Sequence, residues 1–163
     1  VTIRLAKKPQ IKPEYGNIQE ELFAMQVDNA TIHHIAEAVI RIRERKLPNP
    51  AILGNAGSFF KNPVIPIDQL EELKISFPNL PSFPNPDGIK IPAAWLIEHS
   101  GPNDKRSWKG FREKNFGVHD KQALCLVNFL DASGKEIYLL SEKIITSVQR
   151  KFNIQLEREV NIW

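Results

Sequence analysis

The chain has 163 residues, of which 42% are hydrophobic and 25% charged, and no apolar run approaches the roughly 20 residues of a membrane helix. Its 22 basic and 19 acidic residues leave a net charge of +3, which permits an anionic ligand but does not require nucleic acid. The single cysteine, Cys125, excludes an internal disulfide and a Cys-rich metal site, and it fits a reducing compartment.

The first part of the chain predicts one strand and one helix. The strand is expected at residues 1–6, and a chain that opens within a strand is expected to be part of a longer protein. A turn-rich stretch follows as far as Gly16. The helix is predicted at about 31–45, because Thr31 can act as its N-cap and apolar residues recur at helical spacing after it.

Glycine and proline residues set the predicted turns, loops and helix starts in the middle of the chain. Residues 54–63 hold two glycines among small side chains, which permits a tight backbone path. Pro66 is expected to open a second, short helix and Pro92 a third. Between them, residues 76–90 contain four prolines and predict an extended, irregular loop.

The last third of the chain returns to regular elements. A polar, basic loop is expected at 99–117, and the continuous apolar run at 122–129 predicts a buried strand. Ser133 and Glu136 form a capping box for the last helix, and a final strand is predicted at 154–162. Since strands and helices alternate without a regular βαβ rhythm, the predicted fold class is α+β, with a small mixed or antiparallel sheet packed with helices.

Three stretches could carry chemistry, and each also has a purely structural interpretation. Ser58 lies beside a glycine, either close to a ligand or as the solvated hydroxyl of a turn. Glu157 and Glu159 would share one face of the final strand, more commonly as solvated carboxylates than as a site. Basic and aromatic residues interleave at 106–112, which suits single-stranded nucleic acid or a nucleotide diphosphate, although a flexible charged loop is the preferred interpretation.

The sequence predicts no metal site and no dinucleotide-binding motif. His33, His34 and Glu37 lack the H-E-x-x-H spacing of a zinc helix, so a solvated helix face is the better interpretation. Neither a G-x-G-x-x-G sequence nor a P-loop is present. Cys125 lies in an apolar strand and is expected to be a buried, inert thiol.

Five sequence blocks stand in order along nearly the whole chain. They are Lys46-Leu47-Pro48-x-Pro50, Gly54-Asn55-Ala56-Gly57-Ser58-Phe59-Phe60-Lys61-Asn62-Pro63, Ala93-Ala94-Trp95-Leu96-Ile97, Val118-His119-x-x-Gln122-Ala123-Leu124 and Leu156-Glu157-x-Glu159-Val160. Together they resemble the UDP-N-acetylenolpyruvoylglucosamine reductases, also called MurB. The segment around Tyr15 and the long loops resemble the type I branch of that family.

The resemblance implies a three-domain flavoenzyme, in which two domains hold FAD and the third closes over it with a UDP-sugar. Residues 1–14 then match the last strand and linker of the FAD-binding half, and residues 15–163 match the substrate-binding C-terminal domain. The implied reaction uses NADPH and FAD to reduce UDP-N-acetylglucosamine enolpyruvate to UDP-N-acetylmuramate, for peptidoglycan synthesis in the cytoplasm. The expected partners are the UDP-sugar and the protein's own N-terminal FAD-binding domains, without nucleic acid or membrane, and this chain alone is expected to be inactive.

The motif matches also imply residue roles. Ser58 corresponds to the proton donor, and Glu159 to the carboxyl group that stabilises the enol intermediate, which it can do only if it is protonated or shares a proton. Lys46 matches a lysine near the substrate carboxylate. The residues that match the UDP-sugar site are Tyr15, Asn62, Lys90, Lys109 and Gln122, and the two lysines among them suit a diphosphate.

Two positions depart from the family pattern, and one different function stays open. Phe83 stands where the pattern has a tyrosine, and Asn161 replaces an arginine, so a hydroxyl and a charge are lost there. The alternative function is that of a non-catalytic, basic nucleotide- or RNA-binding module, which requires the loop around Trp108 to be the main site. Convergence of the three proposed catalytic residues on one cleft would exclude that alternative.

Overall fold

The computed structural model describes residues 1–11, 16–102 and 107–162. It confirms the predicted α+β class, with five helices and two small antiparallel sheets among these residues. The chain divides into two compact units, Val1–Leu47 and Pro48–Trp163. Within the described ranges, no helix is long and apolar enough to cross a membrane.

The first unit contains α1 (Ile18–Ala24) and α2 (Ile32–Lys46). The predicted cap of α2 is confirmed: the Thr31 hydroxyl accepts a hydrogen bond from the His34 backbone N–H at 3.3 Å, and the His34 ring accepts one from the Thr31 N–H at 3.2 Å. Helix α1 was not predicted, because seven residues are too few to show a helical period. It buries Ile18 and Leu22 against α2.

The predicted strand at 1–6 is wrong. These residues are exposed and adopt no strand in the structure. A strand needs a neighbour to satisfy its backbone groups, and no described segment pairs with this one. The predicted domain boundary, between residues 14 and 15, lies outside the described residues.

The second unit forms two sheets and three helices in its described part. In chain order, its elements are β1 (Gly54–Ser58), β2 (Val64–Ile65), α3 (Ile67–Ser76), β3 (Phe83–Asn85), β4 (Gly88–Lys90), α4 (Ala93–Glu98), β5 (Arg112–Glu113), β6 (Phe116–Val118), β7 (Cys125–Asn128) and α5 (Gly134–Phe152). One sheet has the strand order β1-β7-β6-β5 and the other β2-β4-β3. The three predicted helices and the buried strand of this region are therefore confirmed.

Two predicted loops contain strands, and the predicted final strand is much shorter than expected. Residues 76–90 include the β3–β4 hairpin, and residues 99–117 include β5 and most of β6. The segment 154–162 forms a single bridge, between Phe60 and Arg158, because it pairs with the chain only around that position.

Helix α5 forms the centre of the second unit. Its capping box is confirmed, since the Ser133 hydroxyl accepts a hydrogen bond from the Glu136 N–H at 3.3 Å and the Glu136 carboxylate accepts one from the Ser133 N–H at 2.8 Å. One face of the helix is buried and packs on the larger sheet, with Leu140, Ile144 and Val148 inaccessible to solvent. The helix therefore supports the strands that carry the candidate site.

Candidate active site

Strand β1 bulges immediately before Ser58. Asn55 pairs with Val127, but Ser58 pairs with Cys125, so β1 carries one residue more than β7 between these pairs. The Asn55 side-chain oxygen accepts a hydrogen bond from the Gly57 N–H at 3.0 Å, and Gly57 has a φ of +73°, which favours glycine. Bulges redirect side chains and are common beside active sites.

Backbone pairing brings Glu159 next to this bulge. Phe59, which follows the bulge, donates its N–H to the Leu124 carbonyl at 2.8 Å. On its other side, the Phe59 carbonyl accepts a hydrogen bond from the Glu159 N–H at 2.9 Å. Glu159 therefore lies opposite the residue after Ser58, and both side chains are exposed. Two of the three predicted catalytic residues, distant in sequence, are neighbours in the fold.

The third predicted catalytic residue, Lys46, is the last residue of α2 and is exposed. It belongs to the first compact unit, whereas Ser58 and Glu159 belong to the second. Its convergence with them on one cleft stays a prediction.

Asn62 and Lys90 each directly precede a residue of the backbone hydrogen bond between Ile91 and Pro63. The Asn62 side-chain oxygen accepts a hydrogen bond from the Ala93 N–H at 2.8 Å, at the first turn of α4. The Ile91 N–H donates to the Pro63 carbonyl at 2.9 Å, which joins the two segments. Lys90 is exposed and has no ion-pair partner in the part of the chain that the structure describes. The Asn62 oxygen thus stabilises α4, while its amide group remains available for a ligand.

Lys90 also has a notable neighbour across the hairpin. It pairs with Phe83, whose ring is exposed. The ring supplies an apolar surface there but no hydrogen-bond donor.

Lys109 is paired with a carboxylate. Its ammonium group lies 3.0 Å from the Glu98 carboxylate, and each side chain is about one-third exposed, at 34% and 33%. A phosphate group at Lys109 would have to compete with Glu98. Sequence reasoning missed Glu98, because the two residues are brought together only by the fold.

Gln122 lies close to the serine bulge, and Tyr15 cannot be placed. The Gln122 side-chain oxygen accepts a hydrogen bond from the Leu124 N–H at 3.4 Å, and the Leu124 carbonyl in turn binds the Phe59 N–H. Tyr15 lies outside the described residues.

A groove of about 800 Å³ adjoins the bulge. Strands β1 and β7, the start of α5 and residues 160–162 line it. Asn161 is among the lining residues. The groove therefore lies beside the bulge, along β1.

Trp108 does not form a nucleic-acid platform. Its ring is only 2% exposed and packs edge-to-face on Phe111, with 5.0 Å between ring centroids. A base cannot stack on a ring that lies in the core. The tryptophan of the interleaved pattern is therefore a core residue. Its burial removes the main support for the nucleotide- or RNA-binding module.

Two further side chains behave as the sequence suggested. Cys125 is buried, and this burial raises the pKa of its thiol. Glu157 is mostly exposed and pairs with Lys61 on the neighbouring segment. Neither arrangement indicates a chemical role.

Comparison with known proteins identifies the family. A family model described as UDP-N-acetylenolpyruvoylglucosamine reductase, C-terminal domain, matches residues 49–163, which is nearly the whole second compact unit. Three curated relatives, each named UDP-N-acetylenolpyruvoylglucosamine reductase, match almost all of the chain. They come from Amoebophilus asiaticus (48% identical over 163 residues, 99% of this chain and 46% of the relative), Chromobacterium violaceum (44% over 160 residues, 98% and 45%) and Pseudomonas aeruginosa (41% over 164 residues, 100% and 47%).

The chain spans about half the length of these curated relatives. The family match covers most of the chain and includes both Ser58 and Glu159. The chain therefore belongs to the UDP-N-acetylenolpyruvoylglucosamine reductase family, and it contains the C-terminal domain of that family.

Proposed function

We propose that this chain binds UDP-N-acetylglucosamine enolpyruvate and supplies the proton for its reduction to UDP-N-acetylmuramate, a step of peptidoglycan synthesis in the cytoplasm. The observation that carries the proposal is the adjacency of Ser58 and Glu159, fixed by the 2.9 Å hydrogen bond from the Glu159 N–H to the Phe59 carbonyl. The names of the family model and of the relatives support the same activity.

The chemistry requires two kinds of group beside the reacting double bond. Hydride adds to its terminal carbon, and the negative charge that develops on the carboxylate side must be stabilised until the adjoining carbon receives a proton. Ser58 donates that proton. The Glu159 carboxyl group stabilises the enol intermediate, and Lys46 offsets the charge of the substrate carboxylate.

The face at the bulge is open and leaves room for a group held by another domain. Ala56, Gly57 and Ser58 are exposed, and a Cβ added at Gly57 would meet no atom within 4 Å. We infer that FAD, held by the N-terminal domains of the full-length protein, faces these residues. When bound, FAD would supply the hydride that it receives from NADPH.

The nucleotide part of the substrate would use groups that the fold leaves available. Lys90 offers an ammonium group that has no ion-pair partner among the described residues, Asn62 offers an amide N–H, and Lys109 offers a second cation once it leaves Glu98. Gln122 would extend this set near the bulge, and Tyr15 would cover the nucleotide. The partners proposed for the chain are thus the UDP-sugar and its own FAD-binding domains.

The test uses a full-length reductase that contains this chain. The variant Ser58→Ala should retain flavin reduction by NADPH, because no proton from Ser58 enters that half of the reaction. Flavin reoxidation by the enolpyruvyl substrate should slow by about 10²–10⁴-fold, the typical contribution of a positioned acid. Stopped-flow absorbance separates the two halves.

Two further variants sharpen the test. Ser58→Cys should recover part of the lost rate, because a thiol can still donate a proton. Ser76→Ala changes another exposed serine, at the end of α3, and should alter neither half of the reaction. If Ser58→Ala slows both halves equally, Ser58 shapes the site without donating the proton. If it slows neither, the proposed role of Ser58 is wrong.

A further inference from the structure

Arg158 lies between the two glutamates of the terminal segment and binds α5. Its Nε donates a hydrogen bond to the Ser141 hydroxyl at 2.8 Å, and one of its terminal nitrogens binds the Glu142 carboxylate. Its guanidinium lies over the Tyr138 ring, 4.5 Å from the ring centroid. Arg158 therefore makes three separate contacts with one face of the helix.

These contacts form a connected network. Ser141 is fully buried, and its hydroxyl donates to the Tyr138 carbonyl at 2.6 Å while it accepts from Arg158. Hydrogen bonds from Arg158 and then from Tyr138 hold the pKa of Glu142 below its usual range, so this partner stays ionised near neutral pH. The planar guanidinium has fixed donor directions, and it restricts orientation more than a lysine would.

The terminal segment that carries Glu159 is also held by core packing, since Leu156 is buried and Val160 packs partly against the core. On the sheet side, its pairing with the neighbouring segment consists of two backbone hydrogen bonds, from the Lys61 N–H to the Glu157 carbonyl and from the Glu159 N–H to the Phe59 carbonyl, both 2.9 Å. Successive side chains of an extended segment point to opposite faces. An Arg158 side chain fixed on α5 therefore directs Glu159 away from the helix.

We propose that Arg158 is a positioning residue, which clamps the terminal segment to α5 and thereby holds the Glu159 carboxyl group beside Ser58. The inference rests on the proposed function, since Glu159 needs a fixed position only if it acts on the substrate. Arg158 is expected to touch neither substrate nor cofactor.

Kinetics of a full-length reductase that contains this chain test the proposal. Arg158→Met keeps much of the aliphatic stem but removes the hydrogen bonds and the charge. It should slow flavin reoxidation by substrate by about 10- to 100-fold, the range that a displacement of about 1 Å can cause, and leave flavin reduction by NADPH unchanged. Arg158→Lys should recover part of the lost rate, because an ammonium group can still reach Glu142.

Lys143→Met is the matched control. Lys143 also joins α5 to a strand through an ion pair, with its ammonium group 3.0 Å from the Glu113 carboxylate. That contact leads to β5 and not to the terminal segment. Lys143→Met should change neither half of the reaction.

Hydrogen exchange supplies a readout that does not depend on activity. The backbone N–H of Glu159 should exchange faster in Arg158→Met than in the parent protein, while the core amides of β7 keep their protection. A merely structural loss would raise exchange throughout the second unit. If Arg158→Met does not fold, Glu142→Gln replaces it, since that change weakens the clamp at its other end and should give a smaller effect in the same direction.

Glu159→Gln separates failure of this inference from failure of the proposed function. If Glu159→Gln slows the substrate half of the reaction but the Arg158 variants match Lys143→Met, the positioning role is overturned and the proposed function stands. If Glu159→Gln slows nothing, the proposed role of Glu159 is overturned, and the inference with it.

Discussion

The ion pair between Lys109 and Glu98 makes a quantitative prediction about nucleotide binding. If Lys109 binds the diphosphate, Glu98 competes for the same ammonium group in the free protein. Glu98→Gln removes the competing charge but keeps the size of the side chain. It should therefore strengthen the binding of UDP-N-acetylglucosamine.

The size of the effect follows from the geometry of the pair. Two unit charges 3.0 Å apart interact by about 1.4 kcal/mol in bulk water. Side-chain entropy and salt screening reduce the measured value for pairs at the surface to about 0.2–1 kcal/mol. Release of Lys109 should therefore lower the Kd by roughly 1.5- to fivefold.

Calorimetric titration of a full-length reductase that contains this chain measures this change. Glu113→Gln is the matched control, because Glu113 pairs with Lys143 at the same 3.0 Å but has no role in the proposed site. The gain for Glu98→Gln should also shrink as salt is added, since screening already weakens the pair. Weaker binding in Glu98→Gln would show that Glu98 holds Lys109 in its binding position, which would refute competition.

Three further predictions concern the scaffold of the site. Gly57→Ala should destabilise the protein by about 1–2 kcal/mol in denaturant unfolding, because alanine is strained at a φ of +73°. Cys125 should react with thiol reagents only as fast as the protein unfolds, because its thiol is buried and its pKa is raised. The pKa of Glu136 is lowered by hydrogen bonds from the Ser133 N–H and hydroxyl, so its contribution to stability is present above its ordinary pKa of 4.5 and is lost as the pH falls through the lower folded-state value. Unfolding of Glu136→Gln should accordingly depend less on pH below about 5 than unfolding of the parent.

Local signals in the sequence predicted four of the five helices in the described residues. The capping box of α5 is visible in the sequence as Ser133 and Glu136, three residues apart, whereas at α2 the sequence predicted only the Thr31 N-cap, because histidine is not the usual partner in such a box. The β3–β4 hairpin was missed because prolines favoured a loop. Pro84 is tolerated there, since β3 lies at the edge of its sheet and a missing N–H costs no pairing on the open side.

Burial and long-range pairing were beyond the reach of sequence periodicity. The pattern around Trp108 suggested an exposed surface, yet the ring lies in the core. The pattern could not show this, because alternation of residue types does not determine which side chains of a loop are buried. The segment 154–162 has the composition of a strand, but a neighbour is available only near Phe60. The resemblance to a family nominated Ser58 and Glu159, and the adjacency of the two became visible only through the pairing of Phe59 with Glu159.

The proposed catalytic pair depends on two different kinds of constraint. The position of Ser58 is set locally, by the bulge that Asn55 and Gly57 form within β1. The position of Glu159 is set by distant parts of the chain, through Phe59 on one side and the Arg158 contacts with α5 on the other. Changes at the bulge should therefore act mainly on the proton donor. Changes along α5 should move the carboxyl group and leave the serine in place, so the two kinds of variant should separate proton donation from stabilisation of the enol.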